Sequence, residues 1–207
     1  MRRLRTLAVT LCVLAAEGCA GLHSSEPATQ RYTLAPAFVQ VAGPAAGGAA
    51  DTPTLQLSRP LAAPGLDTDR IALRRDGQRL DYYAASSWPV ALPELLQTLA
   101  IDALRAQGRY RAVASEAAAF DADQVLQIEI RECQAEYAGD GLPRVHVRLV
   151  ATLARRSDRS LLSSVGADSS VVAAENRMQA VVAAFQSAAG NWPPICRSAL
   201  SPAAYRP

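Results

Sequence analysis

Two runs of strict alternation lie back to back in the middle of the chain. Leu126, Ile128 and Ile130 alternate with Gln127, Glu129 and Arg131, after which the phase shifts towards Cys133, Ala135 and Tyr137. A period of two is the spacing of a strand with one buried face, and a phase shift marks an inserted residue, so a β-bulge is expected near Glu132. Asp140-Gly141 then turns the chain into Val145, Val147, Leu149, Ala151 and Leu153, which alternate with Arg144, His146, Arg148, Val150 and Thr152. A further turn at Ser157-Asp158 leads into a strand over about 160–170, which completes an antiparallel meander. Such a meander has an apolar face that other elements must cover.

Two helical stripes are available for that task. Leu92, Leu95, Leu96, Leu99, Ala103 and Leu104 recur at three- and four-residue spacing, with Pro93 in the first turn and Gly108 beyond the end, which predicts a helix over Leu92 to Gln107. Met178, Val181, Val182 and Phe185 predict a second helix over Asn176 to Ala189, stopped by Gly190. Upstream, Arg31 to Leu34 and Thr54 to Ser58 read as short strands. Asp76-Gly77 lies between two apolar runs and predicts a hairpin with strands at 70–75 and 78–84. The fold class is therefore α+β, a largely antiparallel twisted sheet with two amphipathic helices packed on one face.

The N-terminus reads as a targeting segment. Arg2, Arg3 and Arg5 precede the apolar run Leu7 to Ala16, which is far too short to span a bilayer. The run ends in Ala15-Ala16-Glu17-Gly18-Cys19, and this resembles the lipobox of bacterial lipoproteins. That resemblance implies cleavage between Gly18 and Cys19 and lipidation of Cys19. The alternative is a plain secretory signal cut elsewhere, with Cys19 a free thiol or a disulfide partner. Residues 1–18 are thus read as signal peptide, 19–29 as tether and 30–207 as one domain, with a flexible Ala/Gly/Pro-rich loop at about 42–53. Ala20 after the lipidated residue resembles the sorting pattern of outer-membrane lipoproteins.

Composition removes most enzyme classes. All 21 basic residues are Arg, so a Walker A loop, a Schiff base and a Ser-x-x-Lys pair are excluded. The serines Ser86, Ser87, Ser163 and Ser164 stand in no Gly-x-Ser-x-Gly setting, and no catalytic residue is assigned. His146 sits on the polar face of its strand without Cys or carboxylate at ligand spacing along the sequence, so neither a metal site nor a cofactor is expected. Setting aside residues 1–18 leaves 18 Arg against 18 Asp plus Glu, from 21 and 19 in the whole chain. A neutral domain without a basic run gives no case for nucleic acid.

The run from Ala63-Pro64-Gly65-Leu66-Asp67-Thr68-Asp69-Arg70 to Arg74, then Arg79 to Tyr83, Trp88 and the helix Leu95 to Leu104, resembles the ABC-type transport auxiliary lipoprotein family. Arg31 to Leu34, the lipobox and the meander fit the same pattern. The resemblance implies a non-catalytic lipoprotein of the outer membrane, facing the periplasm. Its implied partners are an inner-membrane mammalian-cell-entry (MCE) domain protein, a permease and a cytoplasmic ATPase, with lipid or another hydrophobic compound as cargo. A lipid-binding periplasmic carrier and an envelope-assembly lipoprotein are the alternatives. Docking candidates are the polar and aromatic residues Asp67, Asp69, Arg70, Arg74, Tyr82, Tyr83 and Trp88, because aromatics and Arg are common interface anchors. The competing structural reading has one of Tyr82 and Tyr83 in the core, Trp88 over the helix start and Asp67 capping a turn.

With Cys12 in the signal and Cys19 lipidated, Cys133 and Cys196 remain as a pair in an oxidising compartment. A bridge between them would stabilise the domain by about 2–4 kcal/mol; the alternative is two separate buried thiols. Mass spectrometry of the non-reduced protein is expected to find their peptides joined, and a free thiol at both positions would overturn the pairing.

Overall fold

A computed structural model describes residues 28–35, 52–139 and 141–190. Residues 1–18, read as signal peptide, Cys19 with the rest of the expected tether to residue 27, loop residues 42–51, Asp140 and Cys196 lie outside the described residues. Among the described residues nine strands and two helices follow in order: β1 (Gln30–Arg31), β2 (Thr54–Leu57), β3 (Leu61–Ala62), β4 (Arg70–Arg75), β5 (Arg79–Ser87), α1 (Leu92–Ala106), β6 (Ala112–Ser115), β7 (Gln124–Tyr137), β8 (Arg144–Arg155), β9 (Leu161–Val172) and α2 (Met178–Gly190).

All nine strands join one mixed sheet organised around β7. One edge of β7 pairs antiparallel with β8 from Gln124↔Arg155 to Glu136↔Arg144, and β9 runs antiparallel along β8. The other edge of β7 is shared by three strands in succession, all parallel to it: Leu55–Leu57 beside Gln124–Leu126, Leu61–Ala62 beside Glu129–Ile130, and Leu73–Arg75 beside Ala135–Tyr137. Beyond them β6 extends the sheet parallel to β2, β5 pairs antiparallel with β4, and β1 runs parallel to β5. The long ladders are antiparallel, as expected; the parallel ladders are short, and the connections that join β2, β3 and β4 to β6 or β7 contain the helix α1.

The meander follows its alternation closely. The register of β7 against β8 shifts between Ile130 and Glu132, so the bulge falls where the phase break places it. Leu126, Ile128, Ile130, Cys133 and Ala135 of β7 and Val145, Val147, Leu149, Ala151 and Leu153 of β8 are buried. They share one apolar cluster with Leu92, Leu96, Leu99 and Leu104 of α1 and Val181, Phe185 and Ala188 of α2. Helix α2 packs on β8 and β9, and α1 packs on β6. Each large side chain buried in this way contributes about 1.5–3 kcal/mol.

The first hairpin turns at Asp76 and Gly77, both at positive φ (52° and 72°), the region that Gly and Asp tolerate best. Its second strand runs to Ser87, past the expected 84, because the pairing slips from Ala72↔Tyr82 to Arg70↔Ser87 and Ala85 absorbs the slip at φ 48°. Of Arg31 to Leu34 only Arg31 is in a strand, and Leu34 is buried. Helix α1 starts at Leu92 with Pro93 in its first turn, and Gly108 ends it at φ 63°.

Thr54 at the start of β2 is clasped to Asp123, just before β7. The carboxylate accepts from the Thr54 backbone N–H at 2.7 Å and hydroxyl at 2.8 Å, while the Asp123 N–H donates to the Thr54 hydroxyl at 3.0 Å. The backbone N–H first and then the hydroxyl of Thr54 hold this carboxyl below the usual carboxylate range. The resulting stability is present above the unfolded carboxylate value of about 3.9 and is lost as pH falls through the lowered folded value. Asp123→Ala is expected to cost about 1–2 kcal/mol in urea denaturation at neutral pH, and the gap from the parent should close in strong acid.

Candidate functional site

The sheet face turned away from the main core is polar where β7, β8 and β9 run side by side beyond the bulge. On β8 the alternation that buries Val145 and Val147 turns Arg144, His146 and Arg148 outward, and on β9 it does the same for Asp168 and Ser170. The bulge brings the far half of β7 into the same phase, so Glu132 lies across from Arg148, Gln134 from His146 and Glu136 from Arg144. Arg74 of β4 lies beside Glu136 on the other edge.

At the centre of this face His146 Nδ1 stands 2.9 Å from Glu132 Oε2 and 3.6 Å from Glu136 Oε1, and its Nε2 stands 2.8 Å from Asp168 Oδ1. Arg148 pairs with Glu132, and Arg74 reaches Glu136 at 3.6 Å. Gln134 is only 1% exposed and lies beneath the cluster. Its amide nitrogen donates to Glu132 Oε2 at 3.1 Å and Glu136 Oε1 at 3.0 Å, and its oxygen accepts from the Cys133 N–H at 2.9 Å. This corrects the reading of His146 as a histidine without carboxylates at ligand spacing: the carboxylates come from the neighbouring strands. The signal was the Glu132, Gln134, Glu136 spacing facing Arg144, His146 and Arg148, legible once the bulge is used to set the register.

The docking candidates divide between this cluster and the first hairpin. Asp67 forms a two-pronged pair with Arg59, Nη2 to Oδ1 at 2.6 Å and Nη1 to Oδ2 at 3.1 Å, which holds the Asp67 carboxyl below its ordinary value. Arg59 is a partner the sequence reading missed, since it lies in the turn between β2 and β3. The Arg70 guanidinium sits 4.0 Å over the Tyr82 ring, whose hydroxyl donates to the Gly65 carbonyl at 2.9 Å. Asp67, Asp69 and Arg70 are exposed and Tyr82 is half-buried, so these residues form one solvent-facing patch, while Arg74 belongs to the Glu136 side.

Two aromatics leave the candidate surface. Trp88 is 2% exposed and packs T-shaped against Phe185 with ring centroids 5.4 Å apart, so burial rather than contact with a partner is its place. Tyr83 is half-buried, and its hydroxyl lies 2.9 Å from that of Tyr137, which donates to Asn176 Oδ1 at 2.9 Å. Burial first, and then the Tyr137 hydroxyl, raise the Tyr83 pKa well above its ordinary value. Cys133 is buried, and that burial pushes its thiol up to about 12 as long as it is unbridged; Cys196, its expected partner, lies outside the described residues.

The family model described as the ABC-type transport auxiliary lipoprotein component matches residues 32–191. The crystal structure of protein XCC0632 from Xanthomonas campestris, of the DUF330 family, is similar at 27% identity and TM-score 0.63, over 82% of this chain and 94% of that one. The crystal structure of an uncharacterized protein shares the fold at 13% identity and TM-score 0.61, over 83% of this chain and 99% of the other. None of the curated proteins compared with the chain matches it.

Gly65 holds the loop that presents Asp67. Its φ of +85° suits glycine, and a Cβ there would lie 2.5 Å from Leu80 Cδ2, beneath the Tyr82 hydroxyl. Gly65→Ala is expected to lower stability by about 1–3 kcal/mol in chemical denaturation, through backbone strain and the forced shift of Leu80.

Proposed function

The chain belongs to the ABC-type transport auxiliary lipoprotein family, and on that premise we propose that it is a non-catalytic auxiliary component of an MCE-type transport system moving lipids or other hydrophobic compounds across the cell envelope. Cys19 carries the lipid that holds it at the outer membrane, the segment from Cys19 to Thr29 is the tether, and the domain faces the periplasm. The family match over residues 32–191 carries this reading, because it spans the described domain from Tyr32 to the end of α2.

In this reading α1 and α2 cover one face of the sheet and leave the polar face to meet a partner. The docking surface is the patch of Arg59, Asp67, Arg70 and Tyr82. What supports it is chemistry: an exposed Arg stacked on a Tyr ring and a paired Arg and Asp give planar, preorganised contacts of the kind that anchor interfaces. The partner is the periplasmic end of an inner-membrane MCE-domain protein, and the energy comes from its ATPase across the inner membrane.

Pull-down of the tagged, detergent-extracted protein, with mass spectrometry of partners and N-terminus, is expected to recover an MCE-domain protein and an acylated Cys19. An Arg70→Ala, Tyr82→Ala double variant should keep its fold by circular dichroism and lower that recovery at least about tenfold, as loss of an interface anchor does. An unmodified N-terminus, or recovery of unrelated proteins only, would overturn the transport reading; unchanged recovery by the double variant would overturn the docking surface.

A further inference from the structure

The cluster around His146 presents converging acceptors. With the Nε2 proton donated to Asp168, Nδ1 offers its lone pair towards Glu132 Oε2 at 2.9 Å and Glu136 Oε1 at 3.6 Å. The three atoms lie within 4.8 Å of one another, and a second ring proton or a cation must occupy the focus between them. We propose that this focus is a transition-metal site of Zn²⁺ type, with His146 Nδ1, Glu132 and Glu136 as ligands and water in the fourth position.

Three observations favour a metal. Ligand spacing is the first: tetrahedral Zn²⁺ with bonds near 2.05 Å places its ligands about 3.3 Å apart, between the two separations found here. The second is the donor set, since one imidazole with two carboxylates suits Zn²⁺, whereas Ca²⁺ and Mg²⁺ take oxygen ligands. The third is the support behind each ligand. Asp168 orients the imidazole from its far nitrogen, the carboxylate–histidine–metal arrangement. Buried Gln134 holds the two carboxylates together through Glu132 Oε2 and Glu136 Oε1, each of which keeps a second lone pair for the ion. Arg148 takes up the remaining charge on Glu132. Arg74 reaches Glu136 Oε1, the ligand oxygen itself, only loosely at 3.6 Å, and occupancy of the site requires that weak pair to open. Side-chain exposures of 21%, 13% and 32% for His146, Glu132 and Glu136 leave a solvent path for the ion and its water.

The test uses the full-length lipoprotein in detergent, stripped with EDTA, dialysed and titrated calorimetrically with ZnCl₂ and, in parallel, MgCl₂. One equivalent of Zn²⁺ should bind with no response to Mg²⁺, and Zn²⁺ should raise the melting temperature of the parent but not of His146→Gln. Asp168→Asn, at a 58% exposed side chain, should keep the fold and weaken Zn²⁺ about 10–100-fold. If His146→Gln does not fold, this second variant carries the test. Absence of stoichiometric Zn²⁺ binding, equal affinity in Asp168→Asn, or binding that survives His146→Gln and so resides on His23 or a cysteine, would each overturn the site.

Discussion

Strand β7 is bonded along one edge to β8 for nearly its whole length, while its other edge is divided among β2, β3 and the end of β4. β2 and β3 are four and two residues long, and strands so short form stable structure only against a larger sheet. The position of β7 therefore fixes where the N-terminal half of the domain can lie. The hairpin β4–β5 hangs from the last residues of this edge, and β6 from the β2 beside its first ones. The side chains of Arg59 and Asp67, in the links between these short strands, are placed by the same edge.

A single inserted residue in β7 decides the chemistry of the outer face. Without the shift between Ile130 and Glu132, the alternation that buries Ile128 and Ile130 would turn Glu132, Gln134 and Glu136 into the core. With it, Cys133 and Ala135 go inward and the three polar side chains meet His146 and Arg148. Gln134 is then buried at no polar cost, since both sides of its amide are bonded, its oxygen to the Cys133 N–H just beyond the bulge.

The elements with a strong local period were legible in the sequence: the meander with its bulge, the first hairpin and both helices, whose ends shift by one or two residues. What was not legible was pairing between distant segments. β3 and β6 carry only two and four residues, too few to show a period, and their strand character comes from β7 and β2. The parallel ladders have no local signal at all. The same limit governs the candidate site: Asp67, Arg70 and Tyr82 stood out as residue types within one local unit, whereas Arg59 and the carboxylates around His146 are assembled across strands. Trp88 was legible as a large aromatic but not as a core residue, because Phe185, the ring it packs against, lies in the last helix.

The clasp between Thr54 and Asp123 joins residues 69 positions apart, so β2 is synthesised well before the edge it will occupy. Loop closure over such a span adds little to the free-energy cost, since that cost grows only logarithmically, but pairings of this range slow the search. The locally connected β7–β8–β9 meander is the part able to form early, and it then serves as template for strands made before it. Until that happens Leu55 and Leu57, both fully buried in the finished fold, remain open to other apolar surfaces. In a chain of this topology the interval between the making of its first strands and the completion of its seventh is therefore the one in which association of these apolar side chains competes with folding.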